Sequence, residues 1–323
     1  MRAIVQDTYG SADVLELRDI DRPVAGDDEL LIQVHAAGVD PGVCHLMTGL
    51  PYLLRAMGYG LRTPRVAVRG RDVAGRVEAV GKNVTSFRRG DEVYGTCEGS
   101  FAEYVCARED RVALKPSNLT FDQAAAVPIS GVTALHGLRD SGKVKPGQKA
   151  LIIGAAGGVG TFAVQLAKAF AAEVTGVCST TKTDLVRSIG ADDVIDYTRE
   201  DFAAGSRRYD LILDTAGKRP LSQLRRGMAP RGTLVIVGGE GGGQWLGGFD
   251  RSLRALALSP FVGQKLRGLV PAEGSADLRV LGDFIEAGTL TPIIDRTYPL
   301  DEVPKAIRYL EEGHARGKIV ITV

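Results

Sequence analysis

The run Lys149-Ala-Leu-Ile-Ile-Gly154-Ala-Ala-Gly157-Gly158-Val-Gly160 leads without a break into Thr161-Phe-Ala-Val-Gln-Leu-Ala-Lys-Ala-Phe170. Apolar residues of strand length stop at a glycine cluster, and beyond it the apolar positions take the period of a helix, so the glycines form a strand-to-helix turn. Glycine permits positive φ and close backbone approach, while the unpaired amides and the dipole at a helix start favour an anion. The spacing Gly154-x-x-Gly157-x-x-Gly160 is one residue longer between its first two glycines than the usual dinucleotide fingerprint. A glycine-rich turn in an ordinary βα unit is the blander reading. Because strand and helix flank the turn in the order a phosphate site requires, Gly157, Gly158 and Val159 are read as pyrophosphate contacts.

Outward from this turn, helix and strand alternate. Strands are expected at 150–153, 173–177, 193–195, 209–214 and 232–237, and helices near 131–141, 159–171, 182–189 and 220–228, with a further apolar-basic segment at 250–269. The alternation implies a doubly wound parallel sheet covered on both faces. Before the turn, short runs at 14–18, 29–38, 72–81, 91–95 and 100–106 alternate apolar and polar residues between glycines and prolines, which predicts a compact β domain. Thr120 then stands as a cap before an alanine-rich helix start, and the boundary is placed just ahead of it. The fold class is α/β. The closing stretch, a helix at 301–312 and a strand at 317–323, fits either domain by pattern alone.

With 323 residues the chain is about two domains long. Lys plus Arg total 40 against 39 Asp plus Glu, so no global field points to nucleic acid as a partner. The N-terminus reads as a strand and lacks a signal-peptide apolar stretch, and no run approaches a membrane span, so the expected location is cytoplasmic. Cys44, Cys97, Cys106 and Cys178 are scattered without a C-x-x-C pair, which fits a reducing compartment and offers no disulfide framework or zinc knuckle.

Five ordered motifs then carry a resemblance: Asp72-Val-Ala-Gly-Arg-Val-Glu-Ala-Val-Gly81, Phe87-Arg-Arg-Gly-Asp-Glu-Val-Tyr94, the glycine turn, Gly190-Ala-Asp-Asp-Val-Ile-Asp-Tyr197 and Gly317-Lys-Ile-Val. The sequence resembles the medium-chain dehydrogenase/reductase superfamily, and within it the zinc-independent quinone oxidoreductase branch, with zeta-crystallin and the plant enone reductases. The resemblance implies a GroES-like substrate domain from both chain ends (1–117 and 291–323) and a Rossmann NADPH-binding domain between them (118–290). Metal-using members carry a Cys after the first-domain strand, a Gly-His-Glu and a later Cys. Here those positions hold Asp40, Gly70-Arg71-Asp72 and the stretch from Pro128 to Gly131. A guanidinium has no lone pair to give a metal, so no metal site is expected. Without a Lewis acid, hydride transfer suits a conjugated carbonyl or a quinone, where charge develops on an enolate-type oxygen that hydrogen bonds can hold.

A strand that prefers NAD usually places Asp or Glu about 20 residues after the glycines. Val174-Thr-Gly-Val-Cys-Ser179-Thr-Thr-Lys182 has none, and its small hydroxyl and nearby lysine leave room for a 2′-phosphate. In the quinone reductases this chain resembles, a lysine and a tyrosine hold that phosphate, and Lys182 and Tyr197 fall in step with them. The cofactor expected is NADPH. The resemblance also sets Thr133 and Gly238-Gly239 beside the nicotinamide and brings Lys318 to a cofactor phosphate. Lys182 as a solvated first-turn residue and Thr133 as an ordinary helix-start residue are the plain alternatives.

For the substrate, Asp40-Pro-Gly-Val-Cys-His45 is read as the loop after a first-domain strand. Relatives carry Asn-Pro and then a tyrosine there, so His45 is a candidate to bond the substrate oxygen or relay a proton, and Asp40 is either its neighbour in catalysis or a turn former. Water is an equal candidate for proton donor. The apolar run 50–61 is expected to line or cover the substrate site and to favour an apolar planar molecule. The segment 250–269 reads as a lid or subunit contact ahead of a membrane-surface helix. The function expected is NADPH-dependent reduction of a quinone or an α,β-unsaturated carbonyl by a homodimer, with a dedicated biosynthetic enoyl reductase and a non-catalytic NADPH sensor as the competing readings.

Overall fold

Eleven residues from Glu29 to Val39 alternate well enough to form the longest strand of the molecule, and three other strands are built on it. The computed structural model describes residues 1–238, 243–270 and 272–323. Chain contacts divide them into two units, Met1–Val132 with Glu273–Val323, and Thr133–Ala272. The first unit opens with β1 (Arg2–Val5) and β2 (Glu16–Asp19), an antiparallel pair. It continues with β3 (Glu29–Val39), α1 (Pro41–Thr48), α2 (Tyr52–Leu54), β4 (Asp72–Val80), β5 (Glu92–Thr96), β6 (Tyr104–Arg108), β7 (Val112–Leu114), α3 (Phe121–Ala125) and α4 (Pro128–Leu135), whose last three residues belong to the second unit. In the second unit come β8 (Lys149–Ile153), α5 (Gly158–Ala169), β9 (Glu173–Cys178), α6 (Thr183–Ser188), β10 (Asp193–Asp196), β11 (Tyr209–Asp214), α7 (Leu221–Gly227), β12 (Met228–Ile236), α8 (Phe249–Leu258) and β13 (Lys265–Gly268). The chain then returns to the first unit through α9 (Ser275–Glu286), β14 (Ile294–Pro299), α10 (Val303–Glu311) and β15 (Lys318–Thr322).

In the first unit the larger sheet runs β14-β15-β3-β4-β5-β7, with β6 also on β3. Leu30, Ile32 and Val34 of β3 meet Val73, Val77 and Val93 in one core, while Val39, Val43, Met47, Phe101 and Ile307 form another. In the second unit the order β10-β9-β8-β11-β12-β13 is parallel throughout and reverses direction between β8 and β11, the arrangement of a doubly wound dinucleotide fold. Leu151, Ile153, Val177, Ile212, Leu234 and Leu266 fill its core.

Three expectations change. The units do not divide at 117/118 and 290/291. Helix α3 is started by a capping box between Thr120 and Gln123 and lies on β3 and β4. Helix α9, which the pattern analysis missed, buries Leu278, Leu281 and Ile285, and Tyr94 donates to its Leu278 carbonyl at 2.5 Å. Both segments therefore go with the first unit. The apolar-basic segment 250–269 is not one helix: a 3-10 turn with Pro260 ends α8, and β13 follows, pairing Leu266 with Leu234 of β12. The stretch from Asp40 to His45 is not a loop. Asp40 caps α1 through Gly42 N at 2.7 Å and Pro41 takes the first helical position, the combination that starts a helix.

The C-terminal strand is fixed by a buried ion pair. Lys318 Nζ lies 3.0 Å from Asp72 Oδ2, with the two side chains 2% and 0% exposed, and Asp72 Oδ1 accepts from Ile129 N at 2.9 Å. Burial pushes the Asp72 carboxyl up to about 6, against the pull of Lys318. A carboxyl raised from 3.8 contributes stability in full below that value and loses it as pH rises through about 6. Replacing Lys318 by Met removes the opposing charge and raises Asp72 further. Lys318→Met is therefore expected to cost about 3–5 kcal/mol near neutral pH, and visibly less at pH 5, where Asp72 can take up a proton. Urea midpoints of both proteins at pH 5 and pH 8 measure this; an equal loss at the two pH values would contradict it.

Candidate active site

The glycine turn is built by steric necessity. Gly154, at the end of β8, has φ +82°, and a Cβ there would lie 2.5 Å from Thr215 Oγ1. At Gly160 an added Cβ would stand 2.0 Å from the Gly154 carbonyl oxygen, so only glycine lets the first turn of α5 press onto the turn that precedes it. Gly157 is the N-cap of α5 with extended backbone and supplies no side-chain cap. Its own Cβ position meets nothing closer than the Gly154 carbonyl oxygen at 3.4 Å. The result is a helix start of Gly158, Val159 and Gly160 whose amides no side chain caps, open on the side of Gly157, which is the environment an anion needs.

At the carboxyl ends of the neighbouring strands a second set of groups converges. Ser179 follows β9 and starts the 3-10 turn Thr180–Lys182, and Lys182 N donates to Ser179 O at 2.9 Å. Tyr197 N donates to Cys178 O at 3.1 Å, which sets Tyr197 beside the start of that turn with its ring half exposed. Arg219, which no sequence pattern singles out, places its guanidinium 5.6 Å from the centre of the Tyr197 ring. The nearby acid is Asp196, and its oxygens are committed: Thr180 Oγ1 donates to Oδ2 at 2.5 Å, and Thr198 donates to Oδ1 from both N and Oγ1. Those hydroxyls, Thr180 first, hold the Asp196 carboxyl below its ordinary value. The loop from Ser179 to Lys182 therefore offers hydroxyl and ammonium groups and no free carboxylate.

Further along the same sheet edge, Asp214 ends β11 fully buried. It accepts from Arg251 Nη2 at 2.5 Å and from Gly217 N at 3.2 Å, so α8 is tied to the loop after β11. Gly238 follows β12, where a Cβ would meet Thr215 O at 3.0 Å; Gly239 lies outside the described residues. Thr133 is buried within α4 rather than at its first turn. Thus Gly157, Gly158 and Val159 form one group and Ser179, Lys182 and Tyr197 another, both at the carboxyl ends of the parallel strands. Lys318 does not join them. It belongs to the first unit, and its ammonium is spent on Asp72, so the expected contact with a cofactor phosphate is corrected.

The first unit holds the remaining candidates. His45 lies on α1, and its Nδ1 faces Leu50 O at 3.1 Å. A carbonyl only accepts, so Nδ1 carries the proton and Nε2 is the atom left for chemistry. Asp40 is 5% exposed; Oδ1 caps α1, and Oδ2 is buried without a partner. Arg71 donates to Glu273, which also accepts from Arg111 at 2.5 Å and Thr96 at 2.9 Å. Burial works against the Arg71 charge, but Glu273, then Asp40, outweigh it and the guanidinium is held above its ordinary value. Burial raises the thiols of Cys106 and Cys178 to about 11 and that of Cys97 higher still, which makes them poor nucleophiles. Among the described residues no group of three or more His, Cys, Asp or Glu side chains is placed to hold a metal ion.

Residues 26–117 match the family model described as alcohol dehydrogenase GroES-like domain, and residues 189–321 match the one described as zinc-binding dehydrogenase. The chain is 35% identical over 340 residues to a 2-methylene-furan-3-one reductase of Solanum lycopersicum, covering 99% of this chain and 79% of that one. The chain belongs to the medium-chain dehydrogenase/reductase superfamily. It is also 35% identical over 337 residues to the NADPH-dependent alkenal/one oxidoreductase, chloroplastic, of Arabidopsis thaliana, again across 99% and 79% of the two chains. A quinone oxidoreductase structure from Coxiella burnetii superposes with a TM-score of 0.89 at 31% identity, over 100% of this chain and 99% of that one. Membership accounts for a GroES-like β unit joined to a parallel Rossmann sheet in one chain.

The close approach at Gly160 gives a direct check on the turn. Gly160→Ala forces a methyl against a backbone oxygen, so it is expected to lower unfolding stability by about 1–3 kcal/mol and to weaken nucleotide binding at the same time. Gly157→Ala, where there is room, is expected to keep the urea midpoint and lose nucleotide affinity only. The reverse order of effects would count against this geometry.

Proposed function

We propose that this protein reduces quinones or α,β-unsaturated carbonyl compounds with NADPH and without a metal ion. The observation that carries the reading is the pairing of an uncapped, glycine-opened helix start with a neighbouring loop that presents Ser179 and Lys182 and no free acid. The amides of Gly158, Val159 and Gly160 bind the pyrophosphate, and Ser179, Lys182 and Tyr197 hold the 2′-phosphate. Gly238 leaves room at the sheet edge for the nicotinamide half, and Thr133 lies in the same unit. When bound there, NADPH supplies a hydride. The relatives named for reducing a furanone, alkenals and quinones share this conjugated-carbonyl chemistry, and it extends to the present chain as part of the proposal.

The metal-free part rests on Arg71. It stands where metal-using members place a histidine, it cannot ligate, and Glu273 engages it. His45 is the group suited to move a proton. With Nδ1–H bound to Leu50 O, the imidazolium donates from Nε2 to an enolate-type oxygen, and the neutral ring only accepts there. Asp40 orients α1 by capping it through Oδ1. The segment 50–61 leaves Met57 and Leu61 exposed, consistent with an apolar substrate. Exposed Phe261 and Val270 flank the edge strand β13 and suit the homodimer expected from the sequence, and the scattered thiols suit a reducing, cytoplasmic setting.

The decisive assay follows consumption of NADPH and of NADH with a series of quinones and enones, with and without EDTA. Turnover that prefers NADPH and survives the chelator is expected; dependence on added zinc, or tight NADPH binding with no turnover of any acceptor, would overturn the reading. Lys182→Ala is expected to raise KM for NADPH by about tenfold or more, from the loss of a charged hydrogen bond, with kcat little changed and KM for NADH unmoved. His45→Ala is expected to lower kcat by about a hundredfold, with KM for NADPH little changed. Unchanged rates at every pH would assign the proton to water.

A further inference from the structure

The second unit carries a second concave site at the opposite end of its sheet from the glycine turn. A depression of about 550 Å3 lies where the chain enters β8, β11, β12 and β13, whereas the turn follows the carboxyl end of β8. The length of β8, about 13–17 Å at the usual rise per residue, keeps the two apart.

Five cations line this depression: Lys143, Lys145, Arg231, Lys265 and Arg267. They come from three separate parts of the chain, and the one acid among the lining residues is Asp210, whose Oδ2 already accepts from Lys149 N at 2.9 Å. Among the described residues none of the five cations has a carboxylate at ion-pair distance. Arg267 is held by a carbonyl instead, donating from Nη1 to Ser141 O at 3.0 Å, which fixes the guanidinium without neutralising it. Elsewhere in the second unit Lys168, Arg207 and Arg251 each have an acidic partner. Like charges gathered in a hollow repel one another, and a concave low-dielectric wall focuses their field outward. A multivalent anion would relieve that repulsion.

We propose that this depression binds a small molecule bearing two or more linked phosphoryl groups, at a site separate from that of the nicotinamide nucleotide. Cations drawn from three chain segments suit several linked phosphoryl groups better than a single one, and the volume falls within the range of about 300–1,000 Å3 common to small-molecule sites. Lysine and arginine side chains are the residue types that recognise phosphoryl oxygens, and none of the lining residues is an aromatic that could stack on a ring.

The test is calorimetric titration of the full-length protein, saturated with NADPH, with inorganic tripolyphosphate, orthophosphate as the comparison, and ATP to separate a nucleotide from a free polyphosphate. Tripolyphosphate or ATP is expected to bind without displacing NADPH, at least about tenfold tighter than orthophosphate and with affinity falling steeply with salt. The paired variants Lys143→Glu/Arg231→Glu and Lys145→Glu/Lys265→Glu are each expected to weaken binding by about tenfold or more, with NADPH affinity and melting temperature unchanged. No binding beyond that of orthophosphate, affinity in both variants equal to that of the unaltered protein, or displacement of NADPH by tripolyphosphate would overturn the proposal. A failure of NADPH to bind at all would instead count against the proposed function, since the titration can be repeated without it.

Discussion

Lys318 and Asp72 stand 246 positions apart and meet at 3.0 Å almost out of contact with solvent, and the architecture of the first unit hangs on that meeting. Two buried charges are costly to desolvate, so the pair is tolerated only where geometry and further hydrogen bonds complete it. Here the amide of Ile129 takes the other carboxylate oxygen, and β15 is held between β14 and β3. The residues just before Asp72 repeat the device. Gly70 adopts φ +98° where a Cβ would stand 2.4 Å from Ser100 Oγ, and after it Arg71 and Asp72 find partners at different places, Glu273 and Lys318. Both partners come from the returning segment Glu273–Val323. Charge complementarity thus explains why this segment belongs with the N-terminal part of the chain and why α9 goes with it.

In the second unit the governing constraint is steric. Gly160 against the Gly154 carbonyl, and Gly176 against Val186 and Ala155, let helix, turn and strand approach more closely than any side chain would allow. That closeness keeps the helix start bare. The same choice that removes Cβ atoms removes capping side chains, so the helix start at the carboxyl end of the sheet presents bare backbone dipoles. At the other end of the strands the positive charge is carried by long side chains around a hollow. One sheet therefore presents two kinds of positive surface, one preformed and one made of side chains.

Much of this was legible in the sequence. Period and glycine spacing located β8, α5 and every strand of the parallel sheet except β13, because buried parallel strands read as apolar runs bounded by turns. The glycine turn, the absence of an acid after β9 and the proximity of Ser179 to Lys182 were local facts and needed no tertiary information. What escaped was what depends on partners distant in sequence. Lys318 sat in a motif that suggested a phosphate, yet nothing in its neighbourhood announced Asp72. Arg219 reaches Tyr197 across a βα loop that carries no pattern. Helix α9 was missed although its apolar positions have helical spacing, and only its contacts with β7 and Tyr94 decide which unit it joins. The stretch after Asp40 misled for a different reason: Asp-Pro-Gly is a turn signal and also a good helix start, and the following apolar residues Val43 and Met47, both buried, settle it in favour of the helix.

The charge balance around Arg71 bears on which acceptors the proposed chemistry admits. A group that stabilises a localised alkoxide must present an uncompensated positive charge, as a metal ion does. Arg71 is instead bound by Glu273, with Asp40 nearby, so its positive charge is compensated. An isolated carbonyl would place a full charge on one oxygen in that environment. A quinone or an enone spreads the charge over a conjugated system, and a hydrogen bond from His45 or from water suffices to hold it. The acidic surroundings of the arginine therefore do more than stabilise the first unit. In the proposed chemistry they favour an acceptor that carries its own means of delocalising charge.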